Sequence, residues 1–306
     1  MSKQGQIHTV LGAIEPSALG RTLMHEHVFC DIYRVTGRLN ELLNDEALAI
    51  EELSALQKAG GAALVEVTTP DLGRDPEALC RVAEKTGLHI IMGTGWYRQP
   101  FYPPEIDRFL TNELADKIIS ELIDGVAGTG IRAGIIGEIG VHLDYATAQE
   151  ERVLRAAARA QKATGAPLTT HASMYPVGLL QLEVLKDEGL DMSRVIIGHC
   201  DTYLDQSYHL AILESGAYVQ FDTVGRNHMN PDSLRASAFA RLVRLGWKHK
   251  LLLSSDRCHR SDLRAFGGLG YGYVFTEFFD LLRAEGIDDE TLNAITIDNP
   301  RRALAW

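Results

Sequence analysis

From Thr22 onward the chain alternates between short, almost unbroken apolar runs and longer stretches in which apolar residues recur every three or four positions. The runs cover residues 22–30, 62–69, 89–97, 133–140, 167–173, 195–201, 218–224 and 251–256. A strand covered on both faces has no polar side to show, so runs of this kind predict parallel strands buried under helices. The helical stretches fall at 46–59, 76–86, 113–126, 148–164, 177–188, 205–215 and 231–245, with a last one at 274–285. Several stop at a glycine just before the next run, as at Gly87 and Gly165, where a left-handed C-cap closes a helix. Ahead of them, residues 6–20 read as a small hairpin with Gly12 and Pro16 at its turns, lying as a lid across the bottom of a larger body.

Eight strand-helix units in about 250 residues have the size and rhythm of a closed barrel. The expected fold is therefore α/β, a (β/α)8 TIM barrel with a short N-terminal β-hairpin. An open doubly wound sheet is the competing arrangement, but no GxGxxG follows the first run to support a dinucleotide site. With 306 residues, 45% of them hydrophobic, and no linker, the chain reads as a single domain over 1–306.

Composition excludes several classes. No run of about 18 apolar residues occurs and the first twenty residues lack a basic-then-apolar pattern, so neither a membrane span nor a signal peptide is expected, and a cytoplasmic protein is. The formal charge of −11 is offset by no basic tract, which argues against a nucleic acid partner. Cys30, Cys80, Cys200 and Cys258 are scattered without CxxC spacing and read as buried thiols.

In barrels of this type the active site lies at the carboxyl ends of the strands. There the runs carry His25 and His27, two positions apart and so on one face of an extended segment, then Glu138, His171, His199 and Asp256. Singly, each has an ordinary explanation: a satisfied core histidine, or a carboxylate capping the next helix. Six residues of metal-binding type at one end of separate strands are hard to obtain by independent accidents. Four imidazoles and two carboxylates exceed one tetrahedral site and suit two divalent cations sharing a carboxylate. These donors accept zinc first, and manganese, cobalt or iron as well.

The segments 20–27 (Gly-Arg-Thr-Leu-Met-His-Glu-His), 132–136 (Arg-Ala-Gly-Ile-Ile), Thr170-His171, 198–201 (Gly-His-Cys-Asp), 221–223 (Phe-Asp-Thr) and Ser255-Asp256 resemble the phosphotriesterase-like branch of the amidohydrolase superfamily. The resemblance implies a binuclear-metal barrel in which His25, His27 and Asp256 hold the more buried ion and His171 and His199 the more exposed one. It further implies that Asp256 shuttles the proton released when a bridging hydroxide attacks. Members are often homodimers, so a homodimer is expected on that ground alone. Many members bridge the ions with a carboxylated lysine after the Ala-Gly-Ile-Ile-type run; here that position is Gly137, with Glu138 next, as in the subgroup bridged by glutamate.

Loops around the expected mouth supply substrate candidates. The aromatic cluster at Trp96, Tyr97, Phe101 and Tyr102 either packs its own loop or forms a substrate wall, with the Tyr97 hydroxyl as a catalytic group reaching the reacting oxygen. Arg226 and His228 follow strand 7, and Arg257, His259 and Arg260 follow strand 8. These basic groups either bind an anionic part of a small-molecule substrate or pair with local acids such as Asp222 and Asp262. The glycine-rich length 267–273 is either a lid or a tight path into the last helix. The expected activity is metal-dependent hydrolysis of a lactone, ester or phosphoester. Amide hydrolysis by the same machinery, or a metal-stabilised binding protein without turnover, are the alternatives.

Overall fold

The computed structural model describes residues 5–306 of the chain. Two short strands, β1 (Ile7–Thr9) and β2 (Gly12–Ile14), pair antiparallel as the expected hairpin. The barrel strands are β3 (Thr22–Glu26), β6 (Ala63–Glu66), β7 (His89–Thr94), β8 (Ile135–Gly140), β9 (Leu168–His171), β10 (Val195–Ile197), β11 (Tyr218–Phe221) and β12 (Leu251–Leu253). Between β3 and β6 lies a small antiparallel pair, β4 (Cys30–Asp31) with β5 (Leu42–Leu43), in a stretch where the periodicity predicts no element.

The eight barrel strands run parallel in sequence order from β3 round to β12. Closure between β3 and β12 is made by one side chain and one backbone bond: Ser254 Oγ lies 2.8 Å from both the backbone nitrogen and the backbone oxygen of His25, and Asp256 N donates to His25 O at 3.2 Å. The ring is thus tied shut at the end where the candidate ligands sit.

Strand alternation divides the core in two. On β7, Ile90 and Met92 face the helices while Ile91 joins Met24, Val65, Ile135, Ile196 and Leu252 inside the barrel. Ile7, Leu19, Ala303 and Leu304 complete the inner cluster, so the hairpin and the C-terminal helix Asn299–Leu304 close the bottom. Trp306 and Gln6 exchange backbone hydrogen bonds at 3.0 and 3.1 Å and pin Trp306 to the residue that leads into the hairpin.

The helices fall within a few residues of their expected places, including Glu46–Lys58, Pro76–Thr86 and Ala148–Thr164. The strands are shorter than their apolar runs. β3 stops at Glu26, β10 at Ile197 and β12 at Leu253, because the backbone turns out of the ladder before His27, His199 and Asp256. Among the described residues no helix is long and apolar enough to cross a membrane.

Candidate active site

The six residues singled out as ligands converge. Glu138 lies at the centre, its Oε2 2.9 Å from His171 Nδ1, 3.3 Å from His25 Nε2 and 3.6 Å from His199 Nε2, and its Oε1 3.5 Å from His27 Nε2. Asp256 Oδ1 approaches His27 Nε2 at 3.2 Å and His25 Nε2 at 3.8 Å. All six are buried.

Local backbone geometry aims these groups. Gly137, with φ of +107°, lets β8 turn its next side chain inward; a Cβ there would meet Thr169 O at 2.1 Å. His199 and Asp256 adopt positive φ of 55° and 50°, a conformation uncommon for residues with a Cβ that concentrates at functional sites.

A second layer of acids holds the histidines. Asp222 accepts from His199 Nδ1 at 2.7 Å through Oδ1, and its Oδ2 lies 3.3 Å from His25 Nδ1. Those contacts leave the Nε2 atoms of both rings facing Glu138. His27 Nδ1 meets Thr68 Oγ1 at 2.8 Å, and Thr68 in turn donates to Glu66. Such outer carboxylates and hydroxyls fix ring orientation in metal sites. Glu26 points away from the cluster, as the alternation predicts, and its carboxylate accepts from Ser254 Oγ, Ser255 N, Ser255 Oγ and Arg257 N. Burial pushes the Glu26 pKa up against the pull of the Arg257 N–H and charge and of the Ser255 and Ser254 hydroxyls. Asp222 is not distinguishable by sequence spacing from a capping acid, whereas the alternation at 25–27 turns Glu26 to the face opposite His25 and His27.

Whether the cluster suits cations is decided by its unmet donor capacity. His25 Nε2 is buried with no hydrogen-bond partner while aimed between Glu138 and Asp256. Two groupings have mutually close donor atoms, His25-His27-Asp256 and His25-Glu138-His199, and His171 adjoins the second through Glu138 and His199. Oxygen and imidazole donors so arranged fit divalent metals. A third grouping, Cys258-His259-Asp262, surrounds the Arg226 guanidinium, 3.0 Å from Cys258 Sγ and 3.5 Å from Asp262, and that fixed positive charge repels a cation.

Burial would raise the Asp256 pKa, but the Arg226 guanidinium 3.1 Å away and His27 outweigh it and hold the carboxyl far below the usual range. Burial likewise opposes ionisation of Glu138, and His25 and His171 overcome it. Tyr97 goes the other way: burial drives its phenol well above the ordinary value, so it stays a proton donor, with its hydroxyl 3.4 Å from His171 Nε2.

The cluster forms the floor of a cavity of about 240 Å³ lined also by Leu72, Tyr97, Arg98, Phe101, Met229 and Cys258. Of the substrate candidates, Arg226 and His259 line it, but both are engaged, Arg226 with Asp256 and Asp262 and His259 with Asp262 at 3.3 Å. Three others, Arg257, Trp96 and His228, lie outside the lining. Arg257 is buried and donates to Gly270 O and Val224 O, binding the glycine-rich length and the strand 7 loop together. Trp96 turns outward to a separate cavity beside Lys117 and Ile118, because the side chain after Gly95 falls on the helix side of the strand end. His228 projects into solvent from the turn after Arg226. Arg98, whose guanidinium lies 4.8 Å from the Tyr97 ring centroid, is a lining residue that spacing alone does not reveal.

Comparison with known proteins places this geometry. The Phosphotriesterase family profile matches residues 5–304. The chain is 36% identical to the phosphotriesterase homology protein of Escherichia coli over 92% of this chain and 96% of that one. It is 33% identical to human N-acetyltaurine hydrolase, covering 100% of this chain and 99% of the relative. The crystal structure of the Escherichia coli protein, complexed with phosphate in its active site, superposes with a TM-score of 0.91 at 35% identity, covering 93% of this chain and 98% of that one. A lactonase from Listeria monocytogenes gives 0.93 at 28% identity, with 98% and 99% covered. Fold, full-length match and cluster together establish that the chain belongs to the phosphotriesterase family and is a hydrolase.

Proposed function

We propose that the protein is a binuclear metal-dependent hydrolase acting on a small lactone, ester or phosphoester. The observation that carries the reading is the central Glu138 carboxylate, whose two oxygens face His27 on one side and His25, His171 and His199 on the other. His25, His27 and Asp256 would hold one cation, His171 and His199 the other, and Glu138 both; zinc is the first choice for such donors. Divalent cations in such a site acidify water and draw charge from a scissile carbonyl or phosphoryl group.

The chain's own residues supply the rest. Arg226 keeps Asp256 ionised through Oδ2, leaving Oδ1 toward the cluster to take the proton lost by the attacking water. Asp256 then returns that proton to the leaving group. Tyr97, still protonated, donates a hydrogen bond to the oxygen that gains charge. Leu72, Phe101 and Met229 line the cavity with apolar surface and reduce access of bulk water. A cavity near 240 Å³ suits a small substrate. Four free cysteines agree with a reducing compartment and support a cytoplasmic location.

Amide hydrolysis is the second reading, favoured by the match to N-acetyltaurine hydrolases over the whole chain. Chemically it asks Asp256 to protonate a leaving amine. Rates on matched lactones, esters, phosphoesters and N-acyl amides, with the metal content measured on the same protein, decide. Ester or lactone turnover well above amide turnover supports the first reading and the reverse order the second. Protein carrying two metals but inert to every class overturns both.

A further inference from the structure

The cations at the cavity differ in one respect. Arg226 pairs with Asp256 and Asp262, Arg38 with Glu41 at 2.5 Å, and His259 with Asp262. Arg98 pairs with no acid among the described residues, and its Nε is buried without a hydrogen-bond partner. The side chain is nonetheless held in place, its guanidinium 4.8 Å from the Tyr97 ring centroid and 5.6 Å from that of Phe101. Tyr97 carries it on to the cluster, since the Tyr97 ring stands edge-on to His171 with centroids 4.8 Å apart. An arginine at a cavity wall, stacked and lacking an acid, has an unfilled fork for a planar or tetrahedral anion.

We infer that Arg98 anchors an anionic group of the substrate, a carboxylate, sulfonate or phosphate remote from the bond that is broken. This rests on the hydrolase reading and deepens it. The sequence offers Arg226 and Arg257 either for such a role or for pairing with local groups, and the fold uses both in internal contacts. Arg98 is the cation left over, and it lines the same cavity of about 240 Å³ as His27, Glu138, His171, His199 and Asp256.

The test compares wild type with Arg98→Met, which keeps the stacked aliphatic stem, and with Arg98→Lys, which keeps the charge but not the fork. Substrates are matched pairs with and without a terminal anion: succinate monoesters against the capped diesters, and N-acetyl aminoalkanesulfonates and aminoalkanephosphonates against N-acetyl alkylamines. Arg98→Met should lower kcat/KM for the anionic members by roughly 10- to 100-fold. The neutral members, which feel only the loss of the charge beside Tyr97, should lose at least several-fold less than their anionic partners, and Arg98→Lys should recover part of the loss. The three acids also show which anion the fork prefers. Equal losses on both members of a pair, or no loss on the anionic one, overturn the inference while leaving the hydrolase reading intact. Should wild type turn over none of them, calorimetric titration with propionate, ethanesulfonate and ethylphosphonate decides the anchor, while the lactone and phosphoester rates decide the hydrolase reading. Weaker binding to Arg98→Met supports it, and identical binding overturns it.

Discussion

Removing the Glu26 carboxylate tests how Asp256, the proposed proton acceptor, is held. Glu26 Oε1 accepts from Ser254 Oγ, Ser255 N and Ser255 Oγ at 2.8, 2.8 and 2.7 Å, and Oε2 accepts from Arg257 N at 2.9 Å. The residues on both sides of Asp256 thus hang from one buried side chain on the neighbouring strand, while Asp256 itself sits at φ of 50°. In Glu26→Gln the amide nitrogen replaces one acceptor and faces a backbone N–H, leaving a buried donor unmet at a cost of about 1–3 kcal/mol. Glu26→Ala leaves both N–H groups unmet, for roughly 2–6 kcal/mol, below the stability of most domains. A displacement of about 1 Å in a reacting group costs on the order of 100-fold in rate, so Glu26→Gln should lower kcat at least tenfold with KM little changed. Urea unfolding and steady-state kinetics on one preparation provide the assay. A Glu26→Gln protein within about 0.5 kcal/mol of wild type and with full kcat would refute the reasoning.

Four other changes have defined outcomes. Asp256→Asn should preserve the fold and much of the metal but remove most turnover, checked by circular dichroism, metal analysis and kcat. Asp222→Asn, which disturbs the acid shared by His25 and His199, should weaken metal affinity or activity about 10- to 100-fold, read by competition with a chelator. Cys200→Ser should leave catalysis unchanged, since Cys200 is fully buried with its thiol donating to Ile197 O; a kcat loss at equal stability would contradict this. Burial pushes the Glu121 pKa up, but Arg74 at 2.8 Å pulls it below the usual value. Its contribution is therefore present above the unfolded pKa and lost as pH falls through the folded one, so Glu121→Gln should flatten the acid decline of Tm below about pH 4.

Periodicity carries most of the fold because barrel strands buried on both faces and helices exposed on one leave different signatures, as at 89–97 against 76–86. Strand ends are less legible. The apolar run through Val195–Ile197 continues to Cys200, yet the backbone leaves the ladder before His199, and only local geometry decides where. The ligand types His25, His27, Glu138, His171, His199 and Asp256 stand out by position at the ends of apolar runs. The arginines do not: whether Arg226, Arg257 or Arg98 meets an acid, a carbonyl or open cavity depends on neighbours 30 or more residues away, as with Asp256 and Val224. The β4–β5 pair is hidden for a related reason, since strands of two residues show no period.

Anomalous diffraction from crystals of the metal-loaded protein tests the central claim most directly. Two peaks are expected, one among His25, His27 and Asp256 and one among His171 and His199, with Glu138 within bonding distance of both. A single peak, or two peaks of which only one is bonded to Glu138, would contradict it.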